Sequence, residues 1–449
     1  MLQLILLSGG SGSRLWPLSN NSRSKQFLKV LRDEENTPVS MVQRVFAQVE
    51  AISTDTSITI ATSESQQNSI ERQLKGDYSL VLEPERRDTA PAIMLACANL
   101  YLEQQADLED VVVVMPIDTY ADQAYYDHAL ELEEAVRQNV ADIVLLGVQP
   151  TYPSEKYGYI IPEESSDGVK RVSEFKEKPD AVQAQCYIEK GGLWNCGVFA
   201  FKLKYLLKMI KHYMDVTTFE EMQKNYRQFP KNSFDYEVVE KANSIAVIPY
   251  DGTWKDLGTW NTLTDEMTDA QSGRAVIDEK TCNNIHVINE TGLPLVVSGL
   301  KDAVVVATHD GILVCDKENS SSIKPLVEKA SESRPMYEKR RWGEYRVLDI
   351  SLFCNNRKAL TKELVIEAGK QLSYQRHAHR SETWTIVAGS GEIVLNGETR
   401  LIKSGDTVII SENDLHAIRA FEEIHAIEVQ LGDLLEESDI ERFEDFWNE

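Results

Sequence analysis

Leu2 to Leu7, apolar except for Gln3, gives way after Ser8 to Gly9-Gly10-Ser11-Gly12. An apolar run that short reads as a buried strand, and it ends long before a membrane span or a leader peptide could be completed. A strand followed directly by a glycine-rich loop points to an α/β architecture with its ligand site at the carboxyl end of the strands. The next residues keep that rhythm. Val42, Val45, Phe46 and Val49 lie on one face of a helix capped by Ser40, and Ala90 to Leu102 reads as a helix with Pro91 in its first turn. Ser57 to Thr62, Val111 to Met115 and Ile143 to Val148 read as further strands of a mostly parallel sheet covered by helices.

From about Asn284 the texture changes to short β runs without helical partners, a small β-rich connector, and from near Trp342 to an all-β block whose Asn396-Gly397 marks a hairpin. Glu436 to Trp447 reads as an acidic helix-like tail. These shifts divide the chain into 1–270, 271–335 and 336–449.

The formal net charge is −25. That surplus repels phosphate backbones and anionic lipid, and no basic patch offsets it, so neither nucleic acid nor membrane is an expected partner. The six cysteines form no C-x-x-C pair, which fits reduced thiols and a cytoplasmic location. The sequence leaves the oligomeric state open.

Ser8, Gly9, Gly10, Ser11 and Gly12 offer a loop whose amides can converge on phosphate. A dinucleotide fingerprint lacks its third small residue here, because Arg14 and Leu15 follow, and a Walker loop lacks its Gly-Lys-Ser/Thr. What remains is a small-residue loop bearing Arg14 and Lys25, suited to a triphosphate. Asp118, just past the buried VVVVM strand, sits where such a sheet presents a metal ligand.

The string GGSGSRLWPLSNNSRSKQF resembles the signature of bacterial mannose-1-phosphate guanylyltransferases, members of the sugar nucleotidyltransferase superfamily. EPERRDTAPAI, MPID, YGYI, FKEKPD, WNCGVFAF, SFDYEVVE and WKDLGTW follow in the family's order, and RWGEYRVLD with QRHAHRSETW resembles the type II mannose-6-phosphate isomerase domain often fused to it. The resemblance implies a Rossmann-like nucleotidyltransferase domain followed by a cupin-like barrel. It also implies nucleotidyl transfer from GTP to mannose 1-phosphate, with Mg²⁺ held by Asp118 and Asp256. By motif, Arg14 and Lys25 contact the triphosphate, Gly158, Glu177, Lys178 and Asn195 form the sugar-phosphate pocket, and the Gly9 region with Glu83, Arg87, Asp88 and Thr89 receives the base. Asp88, Ser24, Thr119 and Glu155-Lys156 depart from the family pattern around those pockets, so another sugar or polyol phosphate, another base such as cytosine, or a catalytically silent nucleotide-sugar binder are the alternatives. For Asp88 a helix cap is favoured over a contact to guanine.

In the last block His377 and His379, two apart on a strand, are expected to share a face with Glu382 and with His416 from a later strand. That cupin-like set suits a divalent transition ion, and spacing does not choose among Zn, Mn, Fe and Ni. Thr383 stands where the isomerase pattern has His, and Ser411 and Asn413 replace its Pro and Gly. The loss at Thr383 is expected to weaken isomerase chemistry while leaving the metal in place.

Overall fold

A computed structural model describes every residue except 10–12, 21–22, 34, 54, 165–167, 216, 331–334, 354–356, 445 and 448–449. The chain divides into two units, Met1–Leu15 with Ser24–Asp269, and Trp16–Arg23 with Ala270–Glu449. No helix among the described residues is long and apolar enough to cross a membrane.

The first unit is built on a nine-stranded mixed sheet: β1 (Leu2–Ser8), β2 (Thr56–Ser63), β3 (Ser79–Glu83), β4 (Val111–Pro116), β5 (Ile143–Val148), β6 (Gly158–Pro162), β7 (Lys170–Lys176), β8 (Leu193–Lys202) and β9 (Ile245–Tyr250). Their order is β3-β2-β1-β4-β8-β5-β9-β7-β6. β1 runs parallel to β2 and β4, and β8 enters antiparallel between β4 and β5. β4 and β5 are buried almost throughout, which explains their unbroken apolar sequences. Four helices follow the amino-terminal strands: α1 (Met41–Glu50), α2 (Glu64–Gln73), α3 (Thr89–Leu102) and α4 (Gln123–Arg137). Ser40 caps α1 in a reciprocal capping box with Gln43. Asp88 caps α3, accepting from the Thr89 amide at 2.8 Å, as the capping reading expected. α3 is apolar on nearly every face and lies in the core of this unit.

In the second unit, short strands at Gln271–Gly273, His286–Asn289 and Ala303–Thr308 stack in parallel, closed by the antiparallel Gly311–Asp316. After a short helix, Lys324–Ala330, the chain becomes all-β. Its strands are β10 (Tyr337–Arg340), β11 (Gly343–Leu352), β12 (Lys358–Ile366), β13 (Gln375–His377), β14 (Arg380–Ala388), β15 (Ser390–Leu395), β16 (Glu398–Lys403), β17 (Thr407–Ile410), β18 (His416–Ala420), β19 (Ile424–Gly432) and β20 (Ile440–Arg442). They form two facing sheets, β10-β11-β12-β19-β14-β17 and β16-β15-β18-β13-β20, around a core that includes Trp384, Ile393 and Ile418.

The carboxyl-terminal tail corrects the sequence reading. It is no helix: a single turn at Glu437–Asp439 leads into β20, which pairs antiparallel with β13 in the register Arg376↔Glu441. Charge density resembling a solvated helix face proves to be an edge strand, anchored where the Arg376 guanidinium donates to Glu441 at 2.6 Å.

Candidate active site and candidate metal centre

The carboxyl ends of β1 and β4 open onto a cavity of about 330 Å³ lined by Gly9, Glu83, Arg86, Thr89, Asp118 and Asp235, among others. Asp118 lies just past β4, and the chain continues as a three-residue strand, Thr119–Ala121, paired antiparallel with Trp254–Asp256. That register sets Asp256 opposite Thr119 and so brings the two aspartates, far apart in sequence, to one place. Lys25, in a single helical turn, reaches between them: its Nζ lies 2.9 Å from Asp118 Oδ2 and 3.2 Å from Asp256 Oδ1. Burial opposes the lysine charge, yet the two carboxylates outweigh it and hold the ammonium well above its ordinary pKa. Gly258 keeps this corner open, since a Cβ there would lie 2.9 Å from Asp256 Oδ1.

The donor chemistry fits Mg²⁺. Asp118 and Asp256 supply hard oxygens and keep about a third of their side chains exposed, 32% and 36%, which leaves room for phosphate and water oxygens.

On β8, a register shift between Asn195 and Phe199 turns the Asn195 amide to donate to Asp235 Oδ1 at 2.6 Å, while its Oδ1 accepts from the Gly197 amide. Burial, reinforced by the nearby Glu177 carboxylate, pushes the Asp235 carboxyl up to about 6. Glu177 is itself buried and accepts from Lys178 Nζ at 2.6 Å. Its Oε2 has no hydrogen-bond partner among the described residues. Gly158 permits this closeness, because a Cβ there would collide with that oxygen. Glu177, Lys178, Asn195 and Gly158 are thus gathered together, and Asp235 joins them. Asp235 lies in the SFDYEVVE motif, but nothing local in that motif marks it as a pocket residue.

Of the expected nucleotide-binding residues, Ser8, Gly9, Glu83, Asp88 and Thr89 line the cavity, whereas Arg87 is placed differently. The Ser8 hydroxyl is turned into a buried network, donating to Gln66 Oε1 and accepting from Gln26 Nε2. Arg87 donates from Nε and Nη2 to the Phe229 carbonyl, at 3.1 and 2.9 Å, and it is Arg86 that lines the cavity. Glu83 accepts from the Tyr226 hydroxyl at 2.9 Å, and burial raises its pKa. The Thr89 hydroxyl accepts from the Phe234 amide. Arg14 is exposed, and Gly10, Ser11 and Gly12 lie outside the described residues.

Inside the β block, His377, Glu382 and His416 converge and are almost fully buried. His377 Nε2 is 3.2 Å from Glu382 Oε1, and His416 Nε2 is 3.7 Å from Glu382 Oε2. Tetrahedral ligands on ~2.0–2.2 Å bonds stand ~3.3–3.6 Å apart, so the set fits a transition ion. His416 Nδ1 faces the Asp414 carbonyl at 3.0 Å and so carries the proton, which leaves Nε2 a bare lone pair without a hydrogen-bond partner among the described residues. Burial, helped by Arg380 and the other histidine, lowers the His377 pKa to about 3, so the ring is neutral as a ligand must be. Arg380 Nε donates to Glu382 Oε1 at 3.1 Å, and Gln430 and Trp384 also donate to this carboxylate. Sequence spacing had not marked Gln430 or Trp384, whose only signal was the period-two pattern of their strands.

His379 is a correction. β13 ends at His377 and β14 starts at Arg380; the bend between them is held by the Ala378 and His379 amides donating to Asp439. The broken strand loses the same-face parity, and the His379 side chain is 55% exposed, 3.8 Å from Asp433. Thr383 is a second correction. It lies on the face of β14 opposite Glu382 and Trp384, so its substitution removes no group from beside the metal set.

Comparison with known proteins agrees with this layout. Residues 3–273 match the Nucleotidyl transferase family model and residues 328–445 the Mannose-6-phosphate isomerase C-terminal model. The chain is 32% identical to the mannose-1-phosphate guanylyltransferase ManC of Salmonella typhimurium, covering 98% of this chain and 97% of that protein. It is 30% identical to the alginate biosynthesis protein AlgA of Pseudomonas aeruginosa over 99% and 96%. Among solved structures, the mannose-1-phosphate geranyltransferase of Thermus thermophilus superposes with a TM-score of 0.59 at 27% identity, covering 73% of this chain and 98% of that one. Full-length similarity of this kind, on a fold that brings Asp118, Asp256 and Lys25 into contact at the strand ends, places the chain in the mannose-1-phosphate guanylyltransferase family of nucleotidyl transferases.

Proposed function

We propose that this protein transfers a guanylyl group from GTP to mannose 1-phosphate, giving GDP-mannose and pyrophosphate for polysaccharide synthesis in the cytoplasm. The observation that carries the reading is the meeting of Lys25, Asp118 and Asp256, of which Asp118 lines the strand-end cavity. A phosphate oxygen of the sugar attacks the α-phosphorus. The new O–P bond forms as the α–β bridging bond breaks, and pyrophosphate leaves with that electron pair. No proton need move, so the catalyst's task is to hold two anions together and offset charge on the α-phosphate.

Asp118 and Asp256 would hold Mg²⁺, which would supply Lewis acidity and part of that charge. Lys25, beside them, and Arg14 contact the triphosphate. Lys178 holds the sugar phosphate, while Glu177, Asn195 and Asp235 accept and donate to hydroxyls. The Gly9 loop and the wall formed by Glu83, Arg86 and Thr89 receive the nucleotide. In the β block, His377, Glu382 and His416 would hold a divalent transition ion. A coupled pyrophosphate assay of four nucleoside triphosphates against several sugar 1-phosphates tests the main reading. GTP with mannose 1-phosphate should be fastest, and a different best pair would reassign the substrate.

A further inference from the structure

The second unit contains a cavity of about 530 Å³ that takes no part in the chemistry above. That volume is in the range of small-molecule sites. One wall is the outer face of the β block. There the registers Tyr337↔Arg346 and Arg346↔Glu363 set an aromatic ring, a guanidinium and a carboxylate side by side across β10, β11 and β12. The other wall carries Glu290 and His309, each just past a strand of the parallel stack, and Arg23.

The charges pair off. Arg23 clasps Glu290 through both terminal nitrogens, at 2.7 and 2.9 Å. Arg346 Nη2 donates to Glu363 at 2.5 Å, and Lys339 lies 3.4 Å from Glu344. No excess of either sign is left to select a phosphate or a metal cation. Yet each pair keeps capacity, since a guanidinium has five N–H groups and a carboxylate about four lone-pair sites. Arg346 Nη1 lies 3.5 Å from His309 Nε2 on the other wall, so the guanidinium reaches across the cavity. Adjacent donors and acceptors match vicinal hydroxyls, and the Tyr337 ring, with the Arg23 guanidinium carbon over it at 6.0 Å from its centroid, adds apolar surface at their side.

We propose that this cavity binds a carbohydrate, one hexose of a mono- or oligosaccharide, through the Arg346–Glu363 and Arg23–Glu290 pairs and the Tyr337 ring. The binding does not rest on the nucleotidyl-transfer reading.

Saturation-transfer NMR on the full-length protein with mannobiose as the probe tests the site. Wild type and Glu177→Ala, altered in the other sugar pocket, should both transfer saturation to the probe. Glu363→Gln, which preserves shape, and Arg346→Ala should weaken binding tenfold or more. No transfer with wild type, unchanged binding by Glu363→Gln, or loss confined to Glu177→Ala would each overturn the proposal. Competitive release of mannobiose by inorganic phosphate would overturn the carbohydrate class in favour of an anion site. Guanylyl transfer assayed on the same samples reports separately on the catalytic reading.

Discussion

Lys25 holds the place of a counter-ion between Asp118 and Asp256, and this accounts for three charged groups tolerating one partly buried corner. Removing Asp256 takes away a metal ligand and a lysine partner together. Asp256→Ala should therefore cut turnover roughly 10²-fold or more, the scale of losing a preorganised electrostatic group; wild-type turnover at saturating Mg²⁺ would remove Asp256 from the site. Asp235 makes a pH prediction. Its folded-state pKa, pushed up to about 6 by burial and by Glu177, stands above the unfolded value of about 3.9. Charge on Asp235 thus costs stability, and that cost appears as pH rises from about 4 through 6. Asp235→Asn should melt higher than wild type at pH 7, with the gap closing towards pH 4. In the same window the wild-type KM for sugar 1-phosphate should rise as pH falls below 6 more steeply than in Asp235→Asn, which cancels the titration of the substrate's own phosphate. Asp118 was legible from a buried strand running out into a polar residue. The importance of Asp235 was not, because it depends on a contact with Asn195 forty residues away in the chain.

At the scale of elements, strand parity decides the metal centre. Period-two counting reads His377 and His379 as one face only while the strand is unbroken, and the two-residue bend over Asp439 breaks it. The expected outcome is a ligand set without His379. Elemental analysis should find about one transition ion per chain in wild type and in His379→Ala, and little in His377→Ala or His416→Ala. Metal loss in His379→Ala would restore the unbroken-strand reading. The same parity puts Thr383 outside, so Thr383→His should leave metal content and any isomerase rate unchanged. The buried strands β1, β4 and β5 and the caps at Ser40 and Asp88 were legible because local patterns fix them. The tail was misread because a charged edge strand and a charged helix face look alike until a pairing partner is known.

At the scale of the whole molecule, a short segment from the amino-terminal region belongs to the second unit. The chain leaves the first unit after Leu15 and returns at Ser24, so the eight residues Trp16–Arg23 belong with the carboxyl-terminal half. They are held there by named contacts: Thr308 donates to the Pro17 carbonyl at 3.1 Å, Asn20 to Asp310 at 2.7 Å, and Arg23 to Glu290. Trp16 packs over Gly311, whose φ of +150° suits glycine and whose missing Cβ leaves room for the indole. A side chain at 311 would meet that ring and displace the segment that ends next to Lys25. Gly311→Ala should therefore raise the KM for GTP several-fold and lower turnover, although residue 311 lies in no nucleotide-binding motif. Metal content at His377, Glu382 and His416 should stay at the wild-type level, which separates a displaced loop from a collapsed unit. Unchanged kinetics in a folded Gly311→Ala would mean that Lys25 is positioned by the first unit alone.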